Sequence, residues 1–236
     1  MQELIEFTVE DRVATITMND GKANIMSEKM LLALAGAFAA ARAADAIVIL
    51  KSGLARTFSA GFDVKQLASV EIDASRRMVQ AGAALLLDMM RHPHPVISVC
   101  AGHAYPMGAF LLLVSDVRIG VHGEYQIGLN EVTIGIAVPD FALALCRSRL
   151  SCSHLYRTAV LGQMLRPAEA LDAGFLDTLV AAEILDETVA AIIGQMMAID
   201  HAAHTSTKLR LRADVFSMVE QTARGERELV GDMPMA

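Results

Sequence analysis

Tryptophan is absent from this 236-residue chain, and aromatic residues together make up only 5% of it. The core must therefore be packed by aliphatic side chains and methionine, and the hydrophobic fraction reaches 54%. Charged residues are also few, at 20%, and this composition excludes a disordered chain. A chain of this length and hydrophobicity forms one large domain, or a core with an appended subdomain.

Basic residues are in the minority. Lys and Arg number 20 against 27 Asp and Glu, so the net charge is −7. A surface that binds nucleic acid needs an excess of positive charge, so we expect no nucleic-acid partner. A small anionic ligand remains compatible with this charge, because the N-terminus of a single helix can bind an anion on an acidic protein.

Cysteine is scarce, and the three residues show no CxxC spacing. We expect reduced thiols and therefore a reducing compartment, the cytoplasm. The N-terminal MQELIEF carries acids where a secretory signal needs bases. His92 and His94 flank a proline, but no third metal-ligating residue shares their segment, so we expect no metal site.

One stretch without charge deserves a test for membrane insertion. Residues 96–115 contain no Asp, Glu, Lys or Arg and are long enough to cross a bilayer. They also contain Gly102, Pro106 and Gly108 close together, which predicts a strand, a turn and a buried helix. We therefore predict a soluble chain that does not span a membrane.

Apolar periodicity predicts strands that alternate with helices in the first half of the chain. Leu4–Val9 and Val13–Met18 alternate as a hairpin, and the run AIVIL at Ala46–Leu50 predicts a strand buried on both faces. Beyond Pro139 the pattern is mainly helical, with one long final helix predicted over 205–222. We therefore place an α/β core in residues 1–138 and a helical region in residues 139–236.

The stretch YQIGLNEVTIGIAVP, Tyr125–Pro139, holds a single carboxylate, Glu131, among apolar neighbours. Burial against an apolar wall would raise the pKa of that carboxylate toward neutrality, as a general base requires. The alternative is that Glu131 lies on a surface loop, as most glutamates do. Taken alone, the stretch favours the surface loop.

Two loops upstream of Glu131 are suited to hold an oxyanion. In TFSAGFDVK, Thr57–Lys65, small residues permit close approach of a ligand, and Phe62 and Asp63 are predicted to begin a short helix. In GHAYPMG, Gly102–Gly108, the chain again enters a helix. Backbone N–H groups at a helix start lack partners in the helix and point outward. The candidate donors in the second loop are Met107, Gly108 and Ala109. Either loop can also be an ordinary strand-to-helix turn.

Three motifs, in order, resemble those of the enoyl-CoA hydratase/isomerase (crotonase) family. They are FSAGFD at Phe58–Asp63, AGHAYPMGAFLLLVSD at Ala101–Asp116 and RPAEALDAGFLDTLV at Arg166–Val180. The stretch IGLNE at Ile127–Glu131 is most similar to the Δ3,Δ2-enoyl-CoA isomerases. The resemblance implies an α/β crotonase-like fold of stacked ββα units, followed by a C-terminal helical region that forms a homotrimer or hexamer.

The same resemblance implies roles for particular residues. Phe62 and Met107 would supply the two backbone N–H groups that hold a thioester oxygen, and Glu131 would be the acid/base. The substrate would be an acyl-CoA thioester, with no separate cofactor because CoA is part of the substrate. The residues implied to line the CoA channel are Ser59, Ala60, Gly61, Asp63 and Val64.

Two positions depart from the family pattern. Met107 stands where the family usually has glycine, and it would be strained if the site requires a positive φ. Phe110 stands where hydratases of the family carry a second glutamate that positions water. This second departure favours isomerisation. Two alternatives remain: a hydratase or other thioester enzyme, with Asp140 as the further carboxylate, and a CoA-binding protein without turnover.

Overall fold

The computed structural model of the protein describes residues 3–67 and 72–226. Within these residues a six-stranded sheet has the order β1-β2-β4-β7-β9-β10, and only the β1–β2 pair is antiparallel. The strands are β1 Ile5–Glu10, β2 Val13–Met18, β3 Ile25–Met26, β4 Ile47–Ser52, β5 Thr57–Ser59, β6 Gly61–Phe62, β7 Val96–Cys100, β8 His103–Ala104, β9 Val117–Val121 and β10 Thr178–Val180. The helices are α1 Glu28–Ala43, α2 Val64–Leu67, α3 Ile72–Met90, α4 Pro106–Val114, α5 Asp140–Arg149, α6 Cys152–Ala159, α7 Pro167–Ala173, α8 Leu185–Met197, α9 His201–Leu211 and α10 Ala213–Ala223.

The first half of the chain repeats one unit. A strand of the large sheet is followed by a short strand of a second layer and then by a helix, as in β2–β3–α1 and β7–β8–α4. After β4 the unit is longer, because two short strands, β5 and β6, and the short helix α2 precede α3. The short strands pair with each other in parallel, β3 with β6 and β5 with β8. The stacked ββα arrangement that the family resemblance implies is therefore present.

Both faces of the large sheet are covered, which explains the unbroken apolar run in β4. Val48 and Leu50 point into the main core, which contains the buried faces of α1, α3 and α4. Ile47 and Ile49 point to the opposite face, where they contact a second cluster covered by α8. Successive side chains of a strand alternate between faces, so a strand between two layers must be apolar throughout.

The predicted hairpin is confirmed, and Ser27 caps α1 by accepting a hydrogen bond from the Met30 N–H at 3.3 Å. The single helix predicted over 205–222 is wrong. The chain forms α9 and α10 instead, with Arg212 between them at φ −101° and ψ 14°. The Arg212 side chain donates to the Val114 carbonyl at 2.6 Å, a contact between distant segments that holds the break in place.

The uncharged stretch 96–115 forms β7, β8 and α4. In residues 3–67 and 72–226, no helix combines the length and apolar character needed to cross a membrane. The predicted boundary between residues 138 and 139 remains a prediction. Helix α5 begins there, at Asp140, but β10 from beyond the boundary pairs with β9 of the large sheet.

Candidate active site

Three neighbouring backbone segments carry the predicted site residues. Ser59 at the end of β5 pairs with Ala104 of β8, and Ala104 also pairs in parallel with Ile127. The Tyr105 N–H donates to the Ser59 carbonyl at 2.9 Å, and the Gly128 N–H donates to the Ala104 carbonyl at 3.1 Å. The three segments therefore run side by side in the same direction.

Each of the three predicted catalytic residues follows one of these segments along the chain, and all three lie at the same edge. Phe62 and Met107 each come three positions after their paired residue, and Glu131 comes four positions after its own. Binding sites in parallel α/β structures form at the carboxyl edge of the strands, where loops from neighbouring strands meet. The fold thus brings together three residues that are widely separated in the sequence.

Gly61 places the backbone of the first loop against α4. Its φ is +84°, and a Cβ added there would lie 3.5 Å from Pro106 Cδ and 3.6 Å from Met107 N. Glycine adopts this left-handed conformation without strain. Because Phe62 follows directly, its backbone and the first turn of α4 are neighbours, as a pair of donors to one oxygen requires.

Helix α4 begins earlier than the sequence predicts. Tyr105 is the N-cap and Pro106 the first helical residue, so Met107 lies in the first turn, where N–H groups lack partners within the helix. The Ala109 N–H donates to the Tyr105 carbonyl at 3.0 Å, so the prediction of Ala109 as a free donor is wrong. Gly108 allows the helix to approach β5, because a Cβ there would lie 2.8 Å from the Ser59 Cβ.

Met107 is not strained. It lies inside the regular helix α4. In the part of the chain that the structure describes, the non-glycine residues with positive φ are Asp11, Arg12, Asn24 and Asp45. The departure from glycine at position 107 therefore leaves the backbone N–H in a normal helical first turn.

The first loop enters its helix later than predicted. Phe62 belongs to β6 and pairs with Met26, and α2 begins only at Val64. The Asp63 carboxylate accepts from the Lys65 N–H at 3.0 Å and so stabilises the start of that turn. The prediction that Phe62 and Asp63 begin the helix is therefore wrong by two residues.

The residues implied to line a CoA channel differ in exposure. Ser59 is fully buried, and its hydroxyl donates to the Asn24 carbonyl at 2.8 Å and accepts from the Gly61 N–H at 3.1 Å. Ala60 is half-buried and Val64 is 50% exposed. Their assignment to CoA, together with that of Gly61 and Asp63, stays a prediction.

Glu131 is the first residue of a short 3₁₀ helix, Glu131–Ile134, and is only 7% exposed. Its Oε2 is buried and has no hydrogen-bond partner among the described residues. Burial raises its pKa from 4.5 to about 7, because a charge is poorly solvated there. The surface-loop alternative is therefore wrong, and the carboxyl group can both accept and return a proton near neutral pH.

Helix α5 lies beside Glu131. The buried Cys146 of α5 has its pKa raised to about 12 by burial and by the nearby Glu131 carboxylate. Phe141 of the same helix meets Phe110 edge to face, with ring centroids 5.8 Å apart. Phe110 is 1% exposed, so a packed ring fills the position at which the resemblance implies a second glutamate in hydratases. Asp140 is exposed at the start of α5.

Sequence reasoning missed two residues that support the first loop. The Asn24 amide donates to the Phe58 carbonyl at 3.1 Å and to the Ser52 hydroxyl at 2.8 Å. Gly82 of α3 receives the Phe62 ring, because a Cβ there would lie 2.6 Å from Phe62 Cζ and 3.5 Å from Met107 Cε. The sequence predicts an amphipathic helix over Asp73–Arg91, and a glycine inside that helix was the available signal for close packing at Gly82.

A groove of about 570 Å³ lies elsewhere, lined by Asp45, His94 and His201 among others. Asp45 precedes β4 and His94 precedes β7, so the groove is at the amino edge of the parallel strands. None of the residues predicted for the site lines it. The candidate active site is therefore the carboxyl edge, where Phe62, Met107 and Glu131 converge.

A family model described as enoyl-CoA hydratase/isomerase matches residues 8–234. The chain belongs to this family, and its structure has the crotonase fold. It superposes with a TM-score of 0.89 on an enoyl-CoA hydratase/isomerase family protein from Pseudomonas syringae, at 37% identity over 94% of this chain and 96% of that one.

The relatives include proteins named as isomerases and a protein named as a hydratase/isomerase. Human mitochondrial enoyl-CoA delta isomerase 1 is 30% identical over 74% of this chain, a match that spans 58% of the human protein. A putative enoyl-CoA hydratase/isomerase of Bacillus subtilis is 26% identical over 74% of this chain and 69% of that protein. The crystal structure of human mitochondrial delta3-delta2-enoyl-CoA isomerase superposes with a TM-score of 0.88 at 26% identity, covering 94% of this chain and 88% of that one.

Proposed function

We propose that the protein is a Δ3,Δ2-enoyl-CoA isomerase that uses an oxyanion hole and one glutamate. The observation that carries this proposal is the Glu131 carboxyl group, buried with one unpartnered oxygen and with a pKa of about 7. Cys146 of α5 lies near it, and the position expected to carry a second carboxylate in a hydratase is the apolar Phe110, which packs against Phe141 of the same helix. Membership of the family supplies the thioester chemistry.

In the proposed reaction, ionised Glu131 removes a proton from C2 of a 3-enoyl-CoA. The electron pair moves onto the thioester oxygen as an enolate, and the backbone N–H groups of Phe62 and Met107 stabilise that oxygen. Protonated Glu131 then returns the proton at C4, and the double bond moves to C2–C3. A carboxyl pKa near neutrality serves both directions of transfer.

In this proposal, Phe110 is the residue that favours isomerisation over hydration. Addition of water requires that a water molecule be held and oriented, and a stable water site needs about 2–4 polar partners. The buried Phe110 ring packs on Phe141 and supplies none. Hydration is the second candidate, because a probable enoyl-CoA hydratase of Bacillus subtilis is 30% identical over 58% of this chain. Asp140 would then be the further carboxylate.

We also propose that the chain forms a homotrimer or hexamer through its C-terminal helices and acts in the cytoplasm. Large apolar side chains stand exposed on or beside those helices, with Leu211 at 85%, Ile184 at 47% and Ile199 at 36%. The three cysteines are free, as a reducing compartment requires. Light scattering of the purified protein would give the assembly, and a monomer at micromolar concentration would contradict it.

The test of the function is a pair of incubations with 3-enoyl-CoA and 2-enoyl-CoA. We expect 2-enoyl-CoA to form from the first substrate, and 3-hydroxyacyl-CoA to form far more slowly from the second. Equal rates for the two reactions would mean that a second group positions water, and the isomerase proposal would fail. Binding of both thioesters without turnover would instead identify a non-catalytic CoA-binding protein.

A further inference from the structure

The far end of α4 is held by two arginines that the proposed reaction does not use. Arg149, the last residue of α5, donates from Nε to the Leu113 carbonyl at 3.1 Å and from Nη2 to the Ser115 carbonyl at 2.7 Å. Arg212, between α9 and α10, donates from Nη1 to the Val114 carbonyl at 2.6 Å. The last carbonyls of a helix have no partner within it, so these side chains supply the missing donors.

Both guanidinium groups are partly buried and charged. Burial lowers the pKa of Arg149 to about 10, so it remains a cation at neutral pH. The Arg212 side chain is 12% exposed and lies 3.5 Å from Asp116, which also binds the buried Lys208 at 2.9 Å. Cations at the C-terminal end of a helix complement its dipole, and charge-assisted hydrogen bonds are strongly directional. They therefore fix the end of α4 in position and orientation.

Helix α4 connects this end to the proposed oxyanion site. It has nine residues, and so is about 13 Å long, and every residue from Met107 to Val114 is buried. A buried helix moves as a rigid unit, because a packed core does not deform continuously. A displacement of the carbonyl end is therefore transmitted to the Met107 N–H at the other end.

Arg149 also links α4 to α5, the helix that lies beside Glu131. It lies on the same helix, α5, as Phe141 and Cys146. Phe141 contacts Phe110 of α4, and Cys146 lies near the Glu131 carboxylate. The bonds from Arg149 to α4 thus fix the register between the helix that carries one proposed donor and the helix that flanks the proposed base.

We propose that Arg149 and Arg212 are positioning residues, which hold α4 in the register that sets the Met107 N–H and Glu131 on the same thioester. This inference rests on the proposed function, in which those two groups act together. Neither arginine touches the substrate. Because a displacement of about 1 Å can cost roughly 100-fold in rate, loss of either anchor should lower kcat.

The test compares Arg149→Met, Arg149→Lys and Arg212→Met with the wild type. Matched controls are Arg147→Met on α5 and Arg210→Met on α9, which remove exposed arginines two residues before Arg149 and Arg212. We expect the first and third variants to lose roughly 10- to 100-fold in kcat with KM changed less than about threefold. Arg149→Lys should recover part of the loss, because lysine keeps the charge and one donor.

A second readout does not need turnover. A 3-oxoacyl-CoA is acidic at C2, and its enolate absorbs in the near ultraviolet, so the enolate fraction bound to the protein reports directly on the oxyanion site. We expect Arg149→Met and Arg212→Met to bind a saturated acyl-CoA normally and yet to show less enolate at saturation. A merely structural role would lower both binding and enolate together. Circular dichroism would establish that each variant is folded, and Arg149→Lys serves if the methionine variants do not fold.

The outcomes are distinct. The inference is overturned if the folded arginine variants keep kcat and the enolate signal within about twofold of wild type. It is also overturned if acyl-CoA binding falls as much as kcat, or if wild type forms no enolate, because there is then no oxyanion site to position. If wild type forms the enolate but turns over neither enoyl-CoA, the proposed function fails and the enolate signal alone decides the role of the arginines.

Discussion

Replacing Glu131 with glutamine should remove a pH-dependent cost to folding. Burial raises the pKa of Glu131 from 4.5 to about 7, so between these pH values the folded state keeps a proton that the unfolded state has lost. The unfolded state binds fewer protons in this window, and the free energy of unfolding therefore falls as pH rises. Above about pH 7 both states are ionised and the cost stays constant.

The size of the effect follows from the width of the window. A group that stays protonated only in the folded state costs about 1.4 kcal/mol per pH unit, so the window from 4.5 to about 7 amounts to about 3 kcal/mol. Solvent screening reduces this value little, because Glu131 is only 7% exposed. Glutamine has the same shape and no ionisation, so it escapes the cost.

The assay is urea unfolding of wild type and Glu131→Gln at fixed protein concentration, at about pH 4.5 and about pH 8. The stability of the variant relative to wild type should increase by about 3 kcal/mol between the two pH values. Glu187→Gln, which replaces an exposed glutamate of α8, is the control and should show no such increase. Identical pH dependence for Glu131→Gln and wild type would refute the burial of an unpaired carboxyl group.

Three further predictions concern the same site. The kcat/KM of isomerisation should fall about tenfold per pH unit below about pH 7, because Glu131 must be ionised to accept a proton. A value of kcat/KM that does not change between about pH 7 and about pH 5 would contradict this. Met107→Ala should keep kcat within a few fold, because the backbone N–H remains. Met107→Pro should lower kcat by about 10²–10³, because proline fits the first turn of a helix but lacks the N–H. Equal losses of kcat for both variants in the steady-state assay would mean that the side chain matters. Gly82→Ala should lower kcat, because its Cβ would lie 2.6 Å from Phe62 Cζ. Gly194→Ala, whose Cβ would meet nothing within 4 Å, should leave kcat unchanged and raise stability by up to about 1 kcal/mol. Equal kcat for both variants would contradict the role of Gly82.

Local patterns predicted the layered architecture because they follow directly from periodicity. The apolar run at Ala46–Leu50 marks a strand between two layers, and both layers are present. Ser27 marks the start of α1 through a hydrogen bond to its own helix. Such signals are written in neighbouring residues, so the sequence alone contains them.

The features that sequence reasoning missed depend on contacts between distant segments. Glu131 is only 7% exposed and lies near Cys146 of α5, whereas its own sequence neighbours favoured a surface loop. The break between α9 and α10 coincides with the bond from Arg212 to Val114, which no helical pattern encodes. The contact of Phe62 with Gly82 likewise joins β6 to α3, which only the fold brings together.

The proposed mechanism depends most on Glu131 as the single acid/base. The most direct measurement is steady-state turnover of 3-enoyl-CoA by wild type and Glu131→Gln, together with the affinity of each for CoA. We expect kcat to fall by roughly 10²–10⁴ with the affinity for CoA nearly unchanged, because the variant keeps the shape of the site and loses the proton acceptor. Activity within a few fold of wild type would remove Glu131 from the mechanism and contradict the proposed function.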